Sequence, residues 1–300
     1  MSDTLSVTPL CTLESGDWRV TLAPTLGGSI TSARWRGQDV LRATAEADLA
    51  QGNVRRTACY PLLPFSNRIA HAGFTFEGAR HALLANFPGE PHAIHGVGFQ
   101  RPWQVVRQEA GSITLALEHQ PDRAWPFAFL AHQHISVDGD TLTLALEFTN
   151  RSAQRAPCGL GWHPFFPLDS ARGPTHLHTG WSSMLLNGPD KLPRAAVAPP
   201  ALGALDDTVI DNCFTGWTRE ATISAPRHTI HLTASDTLCC AVLFRPEGQA
   251  FFAFEPVSHA NNALHGQLPA MHVLEPGASL SARVSLTLCA TAPTSMPNHP

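Results

Sequence analysis

The 300-residue sequence has no basic run longer than Arg55-Arg56 and no C-x-x-C pair. It also lacks any stretch of about 18 apolar residues. Phosphate backbones are bound by clustered lysine and arginine, so the first absence argues against a nucleic-acid partner. The missing apolar stretch argues against a membrane-spanning helix. Seven cysteines, odd in number and irregular in spacing, fit free thiols in a reducing compartment better than a disulfide framework. The opening residues, MSDTLSVTPL, show neither a positive n-region nor an apolar core. No secretory signal is therefore expected, and a cytoplasmic location is. Nucleotide and hydrolase signatures are missing too: no P-loop, no G-x-G-x-x-G after a strand, no G-x-S-x-G and no H-E-x-x-H. Charged residues are only 15% of the chain, and no helical period persists beyond two turns.

What is present is alternation. Ile113, Leu115 and Leu117 share one face of a run with period 2. So do Leu142, Leu144, Leu146 and Phe148. Asp138-Gly139 between two such runs predicts a tight hairpin, and Glu109-Ala110-Gly111 predicts another before it. Further strands are expected at 18–22, 30–35, 73–76, 103–107, 159–162, 221–224, 229–233, 240–244, 251–254 and 279–288. About fifteen short strands spread end to end predict an all-β fold, a large antiparallel sandwich. A single domain over residues 1–300 is the better reading. The Pro/Ala-rich stretch 188–205 is expected to be a surface excursion, and a short tail is expected from about residue 291.

Sixteen histidines invite a metal site, but the spacing is wrong. His92 and His95, like His228 and His231, are three apart and would point to opposite faces of a strand. His132 and His134 share a face but have no neighbouring carboxylate or thiol at ligand spacing. No metal is expected.

Four segments instead set a polar group in an apolar, turn-rich surround. They are Tyr60 to Ile69, His92 to Gly96, Gly159 to Phe166 and Phe251 to Pro256. Glu255 is the sharpest case, because it follows three phenylalanines in four positions and precedes a proline. Burying such a charge is costly unless it is paired or used. A histidine and a carboxylate can serve as general acid and base. Nearby aromatic, Asn, Arg and Asp groups would suit a polyhydroxylated ligand.

Taken in order, these segments resemble the aldose 1-epimerase, or galactose mutarotase-like, superfamily over nearly the whole chain. The carriers are the Gly27-Gly28 pair, Asn67-Arg68-Ile69, His95-Gly96, Gly161-Trp-His163-Pro164-Phe-Phe, Asp211-x-x-Phe214, Glu255-Pro256 with Asn262-Ala-Leu, and Leu274-Glu-Pro276-Gly277. The resemblance implies an antiparallel β-supersandwich with no metal or organic cofactor, acting as a monomer or homodimer on a small-molecule sugar. It implies Glu255 as base on the anomeric hydroxyl and His163 as acid at the ring oxygen, with His95 assisting. Arg68 and Asp211 would hold sugar hydroxyls, and Asn67 would lie at the pocket edge. An adjacent carboxylate should keep His163 protonated and Glu255 ionised at rest. Pro167 and the Ser258 to Asn261 stretch depart from the family pattern and leave the substrate open.

Two other readings stand beside a free aldose. A hexose 6-phosphate would need extra cations, for which Arg55, Arg56 and Arg101 are the candidates. A non-catalytic sugar-binding sandwich would keep the aromatics and Arg68 but have no need of both His163 and Glu255.

Overall fold

The computed structural model describes residues 9–291. Twenty-five strands form among the described residues, with one short α-helix, Glu46–Ala50, and five 3-10 turns. Most strands join an eleven-stranded and an eight-stranded antiparallel sheet. Among the described residues no helix is long and apolar enough to cross a membrane. The predicted antiparallel supersandwich is therefore observed, with more strands than expected. The additions include two-residue strands, Arg68–Ile69 and Ala93–Ile94, too short to show any periodicity. The proposed tail falls beyond residue 291, outside the described residues.

Period-2 burial builds the sandwich. In Thr141–Asn150 the leucines and Phe148 alternate inward with half-exposed or exposed neighbours. This strand pairs with Phe129–Asp138 through the turn at Asp138-Gly139. Inward residues of both sheets, among them Val20, Leu115, Leu144, Trp162 and Phe254, share one core. A buried polar bridge crosses it: Trp162 Nε1 donates to Gln133 Oε1 at 3.2 Å, and Gln133 Nε2 donates to the Gly28 carbonyl at 2.8 Å. The Gly27-Gly28 pair has a steric reason. Both residues have positive φ, and an added Cβ would lie 2.0 Å from the Phe99 carbonyl oxygen at Gly27 and 2.9 Å from the Trp103 ring at Gly28.

A second cluster, with Tyr60, Leu62, Phe165, Val242 and Ala253, covers the other face of the large sheet. The strand expected at 159–162 instead spans Gly161–Pro167 and runs through His163 and Pro164. The stretch 188–205, expected as a surface excursion, contributes a strand to the sheet edge. Pro193–Val197 pairs with Ser183–Asn187 at the sheet edge, and Leu192 and Leu205 are buried.

Candidate active site

The site grows from alternation in two central strands. In Phe251–Val257, Phe252 and Phe254 enter the core between the sheets, so Phe251, Ala253 and Glu255 face the other way. In Gly161–Pro167, Trp162 and Phe166 enter that core, and His163 and Phe165 face out with Glu255. The strands pair Gly161 with Val257 and Phe165 with Ala253. Carried inward, this register sets His163 opposite Glu255. Tyr60 pairs with His163 on one side, and Val242 with Glu255 on the other. Between the two strands the ladder lapses around Pro164 and Pro256, which have no N–H to donate.

His163 Nε2 and Glu255 Oε1 are 3.2 Å apart, with the side chains 8% and 3% exposed. His163 Nδ1 and Glu255 Oε2 are buried without a protein partner. Burial pushes the Glu255 carboxyl well above the usual carboxylate range, and the neighbouring Asp211 adds to the rise. Burial also pushes His163 well below the usual imidazole range, helped by His95 and Arg42. Both shifts run toward the neutral forms, against the ion pair expected from adjacency alone. Desolvation opposes both charges, and a single carboxylate does not offset it.

His95 joins the pair from a different scaffold. Arg68 pairs with Ile94 in the two-residue ladder, which brings the flanking Asn67 and His95 together. Both flanking residues have positive φ, 53° and 62°. The Asn67 backbone N–H donates to His95 Nδ1 at 3.1 Å. That bond makes Nδ1 the acceptor and leaves Nε2–H as the donor. Burial, with Arg68 nearby, lowers the pKa of His95 to about 3, so the ring is neutral. It meets His163 edge to face, with centroids 5.4 Å apart.

One cavity of about 360 Å³ gathers His163, Glu255, His95, Arg68, Asn67 and Asp211, a size ordinary for small-molecule sites. All six residues singled out in the sequence thus lie together. Arg68 is anchored by Glu90 at 3.3 Å and by Asn67 Oδ1 at 3.3 Å. Asp211 is paired with Lys191 Nζ at 3.2 Å. Arg55 and Arg56 also line the cavity. Arg101 does not: it pairs with Asp122 elsewhere on the surface.

Sequence reasoning missed several lining residues. Arg42, Phe87, Phe244 and Gln249 belong to no motif in the chain, and reach the cavity only through the fold. The Ser258 to Asn261 stretch, expected to bear on substrate choice, acts with the adjoining Asn262 as scaffold. His259 Nε2 accepts the Ser66 N–H at 3.0 Å, Asn261 Oδ1 that of Arg68 at 3.1 Å, and Asn262 Oδ1 that of Ala70 at 3.0 Å. These three bonds fix the backbone that carries Asn67 and Arg68.

A second groove of similar size is lined by Arg34, Asp39, Asp169 and Arg227. Its charges are spent on one another, Arg34 with Asp39 at 2.6 Å and Arg227 with Asp169 at 3.1 Å. Among the described residues no cluster of His, Cys, Asp or Glu could hold a metal ion.

A histidine–glutamate pair on the outer face of an antiparallel supersandwich marks this as a protein of galactose mutarotase-like fold. The chain belongs to the aldose 1-epimerase family, whose model matches residues 9–287. The uncharacterised protein YphB of Escherichia coli K12 is 30% identical over 281 residues, 86% of this chain and 92% of its own length. A solved structure from Escherichia coli K12, a candidate aldose 1-epimerase, aligns with a TM-score of 0.85 at 26% identity, over 94% of this chain and 99% of that one. A galactose mutarotase-like protein from Clostridium acetobutylicum has the same fold, with a TM-score of 0.85 at 15% identity over 94% and 95% of the two chains.

Proposed function

We propose that the protein interconverts the α and β anomers of an aldose by acid–base opening and reclosure of the sugar ring. The observation that carries this is the contact between His163 and Glu255, 3.2 Å from Nε2 to Oε1. The C1 hydroxyl and the ring oxygen of a cyclic sugar are bonded to the same carbon. An acid and a base that touch each other can reach both.

The pair needs only one proton. Passing it from Glu255 to His163 leaves a carboxylate and an imidazolium. The carboxylate takes the C1 hydroxyl proton while the imidazolium gives its proton to the ring oxygen. The bond from C1 to the ring oxygen breaks, C1 becomes an aldehyde, and C5 keeps the new hydroxyl. Glu255 is now protonated and His163 neutral, the form that burial favours. After rotation about C1–C2, His163 removes the C5 hydroxyl proton and Glu255 protonates the carbonyl oxygen. The ring recloses with the opposite configuration, and the pair returns to its charged form. His95 offers a neutral Nε2–H to a sugar oxygen, supported by the Asn67 bond to Nδ1. Arg68 and Asp211 face the remaining hydroxyls, and Tyr60, Phe165 and Phe251 supply apolar walls. General acid and base terms each contribute about 10²–10⁴.

Saturation-transfer NMR on an equilibrated aldose tests this. Exchange between α and β signals should accelerate with the protein, with no new species. Binding with no rate increase for any sugar would favour the lectin reading instead.

A further inference from the structure

We infer that the cavity takes an aldose with a negative charge on the arm attached to C5, and that Arg42, Arg55 and Arg56 receive that charge. This rests on the proposed anomer exchange and names its substrate class.

Among the cavity's cations, Arg68 is already paired with Glu90. Asp211 is paired with Lys191, and Glu255 shares its proton with His163. Arg42, Arg55 and Arg56 line the same cavity and have no carboxylate partner among the described residues. A neutral hydroxymethyl arm gives three guanidinium groups nothing to neutralise. A carboxylate, sulfonate or phosphate gives them oxygens in the geometry they bind best.

His163 stacks on Phe165 with centroids 4.4 Å apart. Arg42 Cζ lies over the same ring at 4.2 Å. Arg42 and His163 therefore share Phe165 as a neighbour. In the proposed reaction His163 serves the ring oxygen, and the atom bonded to that oxygen away from C1 is C5. One ring away from His163, Arg42 is within reach of the C5 arm.

The arginines are also preorganised. Arg42 is held between Phe165 and Phe251, the second ring at 4.3 Å, and its Nη2 donates to the Arg56 and Thr57 carbonyls at 3.0 and 3.2 Å. Arg55 lies over Phe87 at 4.9 Å. Burial and the neighbouring Arg56 lower the pKa of Arg42 to about 10, a cost that an incoming anion would relieve. Only 20 lysines and arginines occur in the chain, yet Arg42, Arg55, Arg56 and Arg68 all line this one cavity.

The test compares kcat/KM for anomer exchange of galactose and glucose with that of galacturonate, glucuronate and glucose 6-phosphate. The wild-type protein should favour at least one anionic sugar by about 10- to 100-fold, the scale of charge-assisted hydrogen bonds. The preference should shrink in high salt. The ratio of anionic to neutral kcat/KM should fall toward one in Arg42→Gln, Arg55→Gln and Arg56→Gln. Arg55 and Arg56 are exposed, so their variants carry the test should Arg42→Gln not fold. Preference for a uronate puts the charge on C6 itself, and preference for the phosphate puts it further out; either supports the inference. Neutral sugars turned over as well as all three anionic ones would overturn it. So would arginine variants that slow neutral and anionic sugars by one common factor. Acceleration of no sugar at all would instead overturn the anomer exchange on which it rests.

Discussion

His163 and Glu255 face each other across neighbouring strands of the large sheet, in direct contact at 3.2 Å and almost wholly removed from solvent. The sheet register sets this relationship, since Gly161 pairs with Val257 and Phe165 with Ala253 on either side. A rigid sheet therefore holds the proposed acid and base, and no loop has to close to bring them together.

The burial of Glu255 should appear in stability as a function of pH. Its folded pKa is raised, so the folded protein holds a proton that the unfolded chain releases above the ordinary carboxylate value. Stability from this group is complete below about pH 4.5 and declines as pH rises from there toward the folded pKa. Glu255→Gln removes the decline. The Tm of the variant relative to wild type should increase between pH 5 and pH 8 in thermal melts. A constant difference would mean that Glu255 is not held protonated.

His95 should not titrate in the neutral range. Its Nδ1 accepts the Asn67 N–H, and burial lowers its pKa to about 3. Nitrogen-15 imidazole shifts should report a neutral Nε2–H tautomer unchanged from pH 5 to pH 8. A transition near 6.5 would contradict the donor role.

His259 should matter for stability although it touches no substrate. It is buried, its Nδ1 lies 2.8 Å from the Ala260 carbonyl and its Nε2 accepts the Ser66 N–H. His259→Ala strands that N–H and should cost about 1–3 kcal/mol in urea unfolding. Loosening of the 66–70 backbone should also raise KM more than it lowers kcat. An unchanged midpoint and unchanged KM would show that the segment is not scaffold.

Much of this was legible in the residues. Long alternating runs such as Thr141–Asn150 announce themselves because one face is wet. The acid–base pair was findable because Glu255 among phenylalanines is costly to bury without a use. Other features were hidden for physical reasons. A proline normally ends a central strand, so Pro164 concealed that the strand continues through His163. Two-residue strands such as Arg68–Ile69 carry no period. Arg42 is remote in sequence from every motif, and only the fold brings it over Phe165. The protonation of the pair depends on how deeply both partners are buried, which adjacency in a motif does not reveal.

The most direct test of the central claim is a double-mutant comparison of anomer exchange, measured by saturation-transfer NMR on wild type, Glu255→Gln, His163→Gln and the double variant. Acid and base share one proton and act as a unit, so their effects should not multiply. Each single variant should lose about 10²- to 10⁴-fold in kcat, and the double variant should be no slower than the slower single. Losses that multiply in the double variant, or single variants that keep wild-type rates, would contradict it.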